Sequence, residues 1–129
     1  MDIAKTKEYY SEYGREDVCT CAYCQNLVDE IKAAYPELTE FLASFGVNIE
    51  RPFEAMLPYE INDETYFEYP GVQYLVCGNS EDFVEKTIGD VDVFISTSHP
   101  TPTYNGEYFI IECFPVRVRI RSDKYNFKE

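Results

Sequence analysis

The hydrophobic pattern changes period once, at Gly46, and that change limits the folds open to the chain. Up to Gly46 the apolar residues recur every three or four positions, as on one side of a helix. Beyond it they alternate, as across a strand. From Cys24 the apolar positions are Leu27, Val28, Ile31, Ala34 and Tyr35, with Gln25, Asp29, Glu30 and Lys32 on the other side. Tyr35-Pro36 ends this helix, because a residue before proline is pushed out of the helical region. Pro36 opens a second helix, where its missing N–H costs nothing. Leu38, Phe41, Leu42 and Phe45 make that helix's buried face, and Gly46 is its left-handed terminator. Ahead of both, residues 2 to 13 fit a short helix capped by Asp2 and stopped by Gly14, with Ile3, Tyr10 and Tyr13 inward.

The second part reads as strands. Phe53 to Ile61 contains Pro58, which cannot donate to a ladder, so an edge or bent strand is expected there. Asn62-Asp63 is a turn signal, Thr65 to Tyr69 a strand, and Pro70-Gly71 a turn or bulge. Val72, Tyr74 and Val76 alternate with Gln73, Leu75 and Cys77. Ser80 then caps one or two helical turns containing Phe83 and Val84, stopped by Gly89. The runs Val91 to Thr97 and Tyr108 to Phe114 predict an antiparallel pair joined by a long loop. Last, Val116, Val118 and Ile120 alternate with Arg117, Arg119 and Arg121. The expected fold class is α+β, with N-terminal helices packed on a mainly antiparallel β-sheet in a single domain over residues 1–129.

Charge narrows the function. The chain carries a formal −13 at pH 7, which repels nucleic-acid phosphates and anionic lipid, so neither nucleic acid nor membrane is an expected partner. A basic protein partner fits. Aromatic residues make up 16% of the chain, too many for a disordered acidic segment. No apolar run is long enough to span a membrane, and the N-terminus lacks the apolar core of a signal peptide. The odd count of five cysteines fits a reducing compartment, so a cytoplasmic location is expected. The charge is also uneven. From Pro115 onward five basic residues face two acidic ones, so three arginines in a row call for acidic neighbours; Glu112 and Asp92 are the first candidates.

The candidate site is C-x-C-x-x-C at Cys19, Cys21 and Cys24. Three thiolates at such tight spacing are the local half of a zinc knuckle. The start of the helix is expected to lower the thiol pKa of Cys24. A closed structural site needs a fourth ligand, from Cys77, Cys113, His99 or Asp17. Without metal, the three read as small buried hydrophobes at a helix start. A redox pair of Cys21 with Cys24 lacks the βαβ setting that such chemistry uses. Catalysis has little to build on: His99 is the sole histidine, Ser80 and Ser96 lack a nucleophile elbow, and no glycine-rich phosphate loop occurs. No enzyme activity is expected.

The segments DVCTCAYCQN, YPELTEFLASFGVNIERPFEA, GVQYLVCG and VDVFIS…YFIIECF resemble a group of small bacterial proteins, mostly of Gram-positive species. In these a C-x-C-x-x-C-x-N motif precedes a PEL-x-x-FL helix and a sheet-rich half. The resemblance spans residues 17 to 114 and implies a shared fold and no mechanism. The chain departs from the group after Pro115, where it has PVRVRIR and no tryptophan. The favoured function is a non-catalytic acidic binding protein acting through protein–protein contact, its concrete form an inhibitor or immunity-type partner of a basic protein. The alternative is a small zinc-binding protein using the three N-terminal cysteines.

Overall fold

A computed structural model describes residues 1–127. The helices are α1 (Ile3–Glu12), α2 (Ala22–Ala34) and α3 (Pro36–Ala43), with a single 3-10 turn at Arg15–Asp17. The strands are β1 (Glu54–Ala55), β2 (Tyr59–Ile61), β3 (Tyr66–Tyr69), β4 (Val72–Cys77), β5 (Lys86–Ile88), β6 (Val91–Ile95), β7 (Tyr108–Phe114) and β8 (Val116–Arg119). The fold class is α+β and every strand pairing is antiparallel, but there are two sheets where one was expected: β1-β4-β7-β6-β5 and β2-β3-β8.

The two sheets share one ladder. Residues 66 to 69 pair with 116 to 119, and residues 72 to 77 pair with 108 to 113, in the same continuous register. The interruption falls at Pro70-Gly71 on one strand and at Phe114-Pro115, a cis peptide, on the other. Proline has no N–H to give to a ladder, so the long pair folds there into two sheets. The inward side chains change parity at the same point. Phe67 and Tyr69 give way to Val72, Tyr74 and Val76, while Phe109, Ile111 and Cys113 give way to Val116 and Val118. Both halves therefore turn an apolar face to one core. Pro58 likewise separates β1 from β2, which join different sheets.

That core is filled by α2 and α3. Leu27, Ile31, Leu38, Leu42 and Phe45 are buried in it together with Tyr74, Ile111, Val116 and Val118. Phe41 is the exception to the expected face: it is half-buried, its ring edge-on to Phe45 at 5.3 Å and under the Lys86 ammonium at 5.8 Å. The chain turns out of α3 at Gly46, with φ +92°, and a side chain there would meet the Ile3 carbonyl at 2.9 Å.

The first helix does a job the sequence did not disclose. β1 is two residues long and covers only the start of β4, leaving the edge of β4 from Tyr74 onward without a strand. α1 fills that place with side chains. Thr6 Oγ1 accepts from the Cys77 N–H at 3.0 Å, the Tyr10 hydroxyl donates to the Leu75 carbonyl at 2.8 Å, and the Asp2 N–H donates to the Cys77 carbonyl at 2.8 Å. Asp2 caps α1 as expected, accepting from the Lys5 N–H. Tyr10 is buried, but Ile3 is 43% exposed, because the face that meets the sheet is set by Thr6 and Tyr10.

The expected helical turns after Ser80 do not form. Phe83 reaches the core, Val84 is exposed, and residues 86 to 88 pair with β6 across a hairpin whose turn has Gly89 at φ +64°. Strand pairing outweighs a weak local helical signal here.

Two of the three C-terminal arginines, Arg117 on β8 and Arg121 just beyond it, face carboxylates, though not the ones expected, and Arg119 forms no ion pair among the described residues. β8 neighbours β3 rather than β7, so Arg117 pairs with Glu68 at 2.7 Å and with Asp90 at 3.2 Å. Arg121 pairs with Glu30 at 3.0 Å and Asp123 at 2.9 Å. Glu112 instead accepts from Gln73 at 2.9 Å, and Asp92 from Thr87 at 2.7 Å.

Candidate metal centre

The three N-terminal cysteines sit where the chain passes from the 3-10 turn into α2. The turn is closed by Asp17, whose carboxylate accepts from the Gly14 N–H at 2.8 Å. Val18 then drops into a small apolar cluster with Cys24, Val28 and Tyr13. Cys21 is the residue that caps α2, with extended backbone and no side-chain capping bond, so its thiol is left free to point elsewhere. Cys24 lies in the first turn of the helix.

A frame of polar side chains holds this bend. Gln25 Nε2 donates to the Cys19 carbonyl at 2.8 Å, and Arg15 Nε donates to Gln25 Oε1 at 2.8 Å. Arg15 also pairs with Asp29 at 2.7 Å, and Asp29 accepts in turn from Lys124 at 2.9 Å and from the Tyr125 hydroxyl. Asn26 uses both ends of its amide at the end of β8, donating to the Arg119 carbonyl at 2.9 Å and accepting from the N–H of Arg121, just past the strand, at 2.8 Å. Both ends of the thiol turn are thereby fixed.

The three Sγ atoms lie within 4.8 Å of one another. Cys19 and Cys21 reach solvent, and Cys24 is buried. Cys19 is the acceptor of the group: the Cys21 backbone N–H, aided by the Cys21 and Cys24 thiols, lowers its pKa against the opposing effect of burial. Cys24 moves the other way. Burial pushes its thiol well up, and its bonds to the other two sulfurs add to the rise. The expected lowering of Cys24 by the helix start is therefore overturned: loss of water outweighs the helix end, and the easily ionised thiol is Cys19.

None of the four expected fourth ligands joins the cluster among the described residues. Cys77 is buried under α1, and Cys113 lies in the main core with its thiol pushed up to about 12 by burial. His99 is exposed, its Nδ1 at 2.8 Å from the Pro100 carbonyl and its ring beside Tyr108. Asp17 is committed to its own turn. Glu54 on β1 is near enough for its charge to act on Cys19 without belonging to the cluster.

The arrangement can hold one soft cation through three thiolates. A Zn–S bond of about 2.3 Å places tetrahedral sulfurs roughly 3.8 Å apart, so the cluster needs to draw in by about 1 Å at most. The sequence reading named the three cysteines that the fold brings together and missed the frame around them. Arg15 and Asp29 carry no local signature, because their partners are brought together only by the fold. Asn26 was visible as the last position of the motif, and its buried, doubly bonded amide explains why that position suits asparagine. No helix among the described residues is long and apolar enough to cross a membrane. Compared with known proteins, the chain matches no family model, no curated protein and no solved structure.

Proposed function

We propose that this chain is a small metal-binding protein that holds a zinc ion through Cys19, Cys21 and Cys24, without catalysing a reaction. The observation that carries the reading is the convergence of three sulfurs within 4.8 Å on a turn fixed from both sides. Soft thiolates select zinc or Cu(I) over magnesium and calcium. Three protein ligands leave a fourth position for water or an exchangeable ligand. Cys24, held protonated in the metal-free turn, gives up its proton on binding, which makes affinity rise with pH. Elemental analysis of the purified protein tests this: about one zinc per chain is expected, falling to near zero in Cys24→Ser. Metal-free protein whose melting temperature ignores both zinc and chelator would rule it out.

A second reading, an acidic cytoplasmic module that binds a basic protein, is favoured by the net charge of −13 and by carboxylates that form no ion pair among the described residues. An inhibitor or immunity-type role is its concrete form. Capture from native cell extract at low salt, with release at high salt, tests it; recovery of only acidic proteins, or of none, rules it out.

A further inference from the structure

α1 carries Tyr9 and Tyr13 one turn apart, and their rings stack at 5.4 Å with planes 17° from parallel. Tyr104, from the loop before β7, meets Tyr9 edge-on at 5.6 Å. A groove of about 230 Å³ opens along these rings, lined also by Lys5, Glu8 and Glu12. Small-molecule pockets run roughly 300–1,000 Å³, so this groove suits a single side chain better than a cofactor.

Its charge is uncommitted. Glu8 and Glu12 stand one turn apart on the same helix, and neither forms an ion pair among the described residues. Glu68, Asp29 and Glu30, by contrast, are each tied to an arginine. Lys5 offsets one of the two carboxylates. The surrounding field adds negative charge: Asp17 and Glu54 act on Tyr13, and Asp2 and Glu8 act on Tyr104. Burial raises the Tyr9 phenol to about 12, with Tyr13 contributing, so the ring stays neutral at physiological pH.

Stacked neutral rings beside free carboxylates are the complement of a guanidinium. Its plane lies against a ring face while its fork of N–H donors meets a carboxylate. We propose that this groove takes an arginine side chain presented by a basic partner protein, a proposal that rests on the basic-partner reading above and gives that partner a place to dock. A lysine ammonium is a compact, strongly hydrated point charge and gains less from the rings.

Isothermal titration of the intact protein with an amidated hexa-arginine peptide at low salt is the test. The double variant Glu8→Gln/Glu12→Gln is expected to weaken binding about tenfold or more, since it removes both charged partners of the guanidinium. Tyr104→Leu, which keeps apolar bulk but removes the ring, should weaken it about three- to tenfold. Glu37→Gln/Glu40→Gln on α3 removes the same charge elsewhere and should change affinity by less than about twofold. Equal weakening by the two double variants overturns the groove and leaves the basic-partner reading standing, since diffuse charge then carries the binding. Hexa-lysine binding as tightly as hexa-arginine overturns the guanidinium assignment. Wild-type protein that ignores hexa-arginine overturns the proposal outright, while capture from extract still decides the partner reading independently.

Discussion

Asp29 joins two ends of the chain through one carboxylate, receiving Arg15 from the thiol turn and Lys124 and Tyr125 from the C-terminal segment. Burial alone would raise its pKa, but bonds from Tyr125, Lys124 and Arg15 outweigh that and hold it at about 2. A depressed carboxylate stabilises the fold at pH values above its unfolded pKa, and that contribution is lost as pH falls through the folded value. Asp29→Asn is therefore expected to cost about 2 kcal/mol at pH 7, with the cost fading between about pH 4 and pH 2. Urea melts of both proteins across that range check it; a cost independent of pH would mean that ionisation is not what matters. Core positions follow burial instead of charge. Leu42→Ala, at a fully enclosed site, should cost about 2–5 kcal/mol, whereas half-buried Phe41→Ala should cost less than its size suggests. Chemical denaturation of the pair should rank them in that order.

At the scale of elements, α1 does the work of a missing strand. Replacing Thr6 by valine keeps the shape but leaves the Cys77 N–H buried without an acceptor. The expected loss is about 1–3 kcal/mol, the cost of an unsatisfied buried donor. Faster hydrogen exchange at Cys77 and its neighbours on β4 should accompany it, and an unchanged exchange pattern would show that α1 is only resting on the edge. The helices at 22–34 and 36–43 were legible because their signals are local: a proline break, a terminal glycine and a clean apolar face. The strands were legible one by one from alternation. Their division into two sheets was not, because Pro70 and Pro115 read separately as interruptions, and only the pairing shows that they interrupt one ladder at the same level. The partners of Arg117 were missed for the same reason. Of the candidate site, the three cysteines stood out by spacing, while the Arg15–Gln25 frame joins residues ten apart with no periodic relation.

For the molecule as a whole, metal and fold are expected to be coupled. If three thiolates hold zinc, the ion tethers the 3-10 turn to α2, and removing it loosens the contact between Val18, Tyr13 and Val28. A chelator should lower the melting temperature by several degrees, since a change of about 1 kcal/mol shifts a domain of this size by roughly 4 °C. Readdition of zinc should restore it, and Cys24→Ser should melt alike with and without chelator. A chelator effect that persists in Cys24→Ser would place the ion elsewhere.

The ties that seat α2 have a temporal consequence. Its partners on and beyond β8 lie 91 to 104 residues further along the chain. Synthesis runs from the N-terminus, so the thiol turn and α2 emerge long before the surface the helix rests on. The three cysteines themselves span only residues 19 to 24. A nascent chain can thus offer all three sulfurs to an ion while most of the sheet is still unmade, and under the proposed zinc reading folding would close over a turn already loaded.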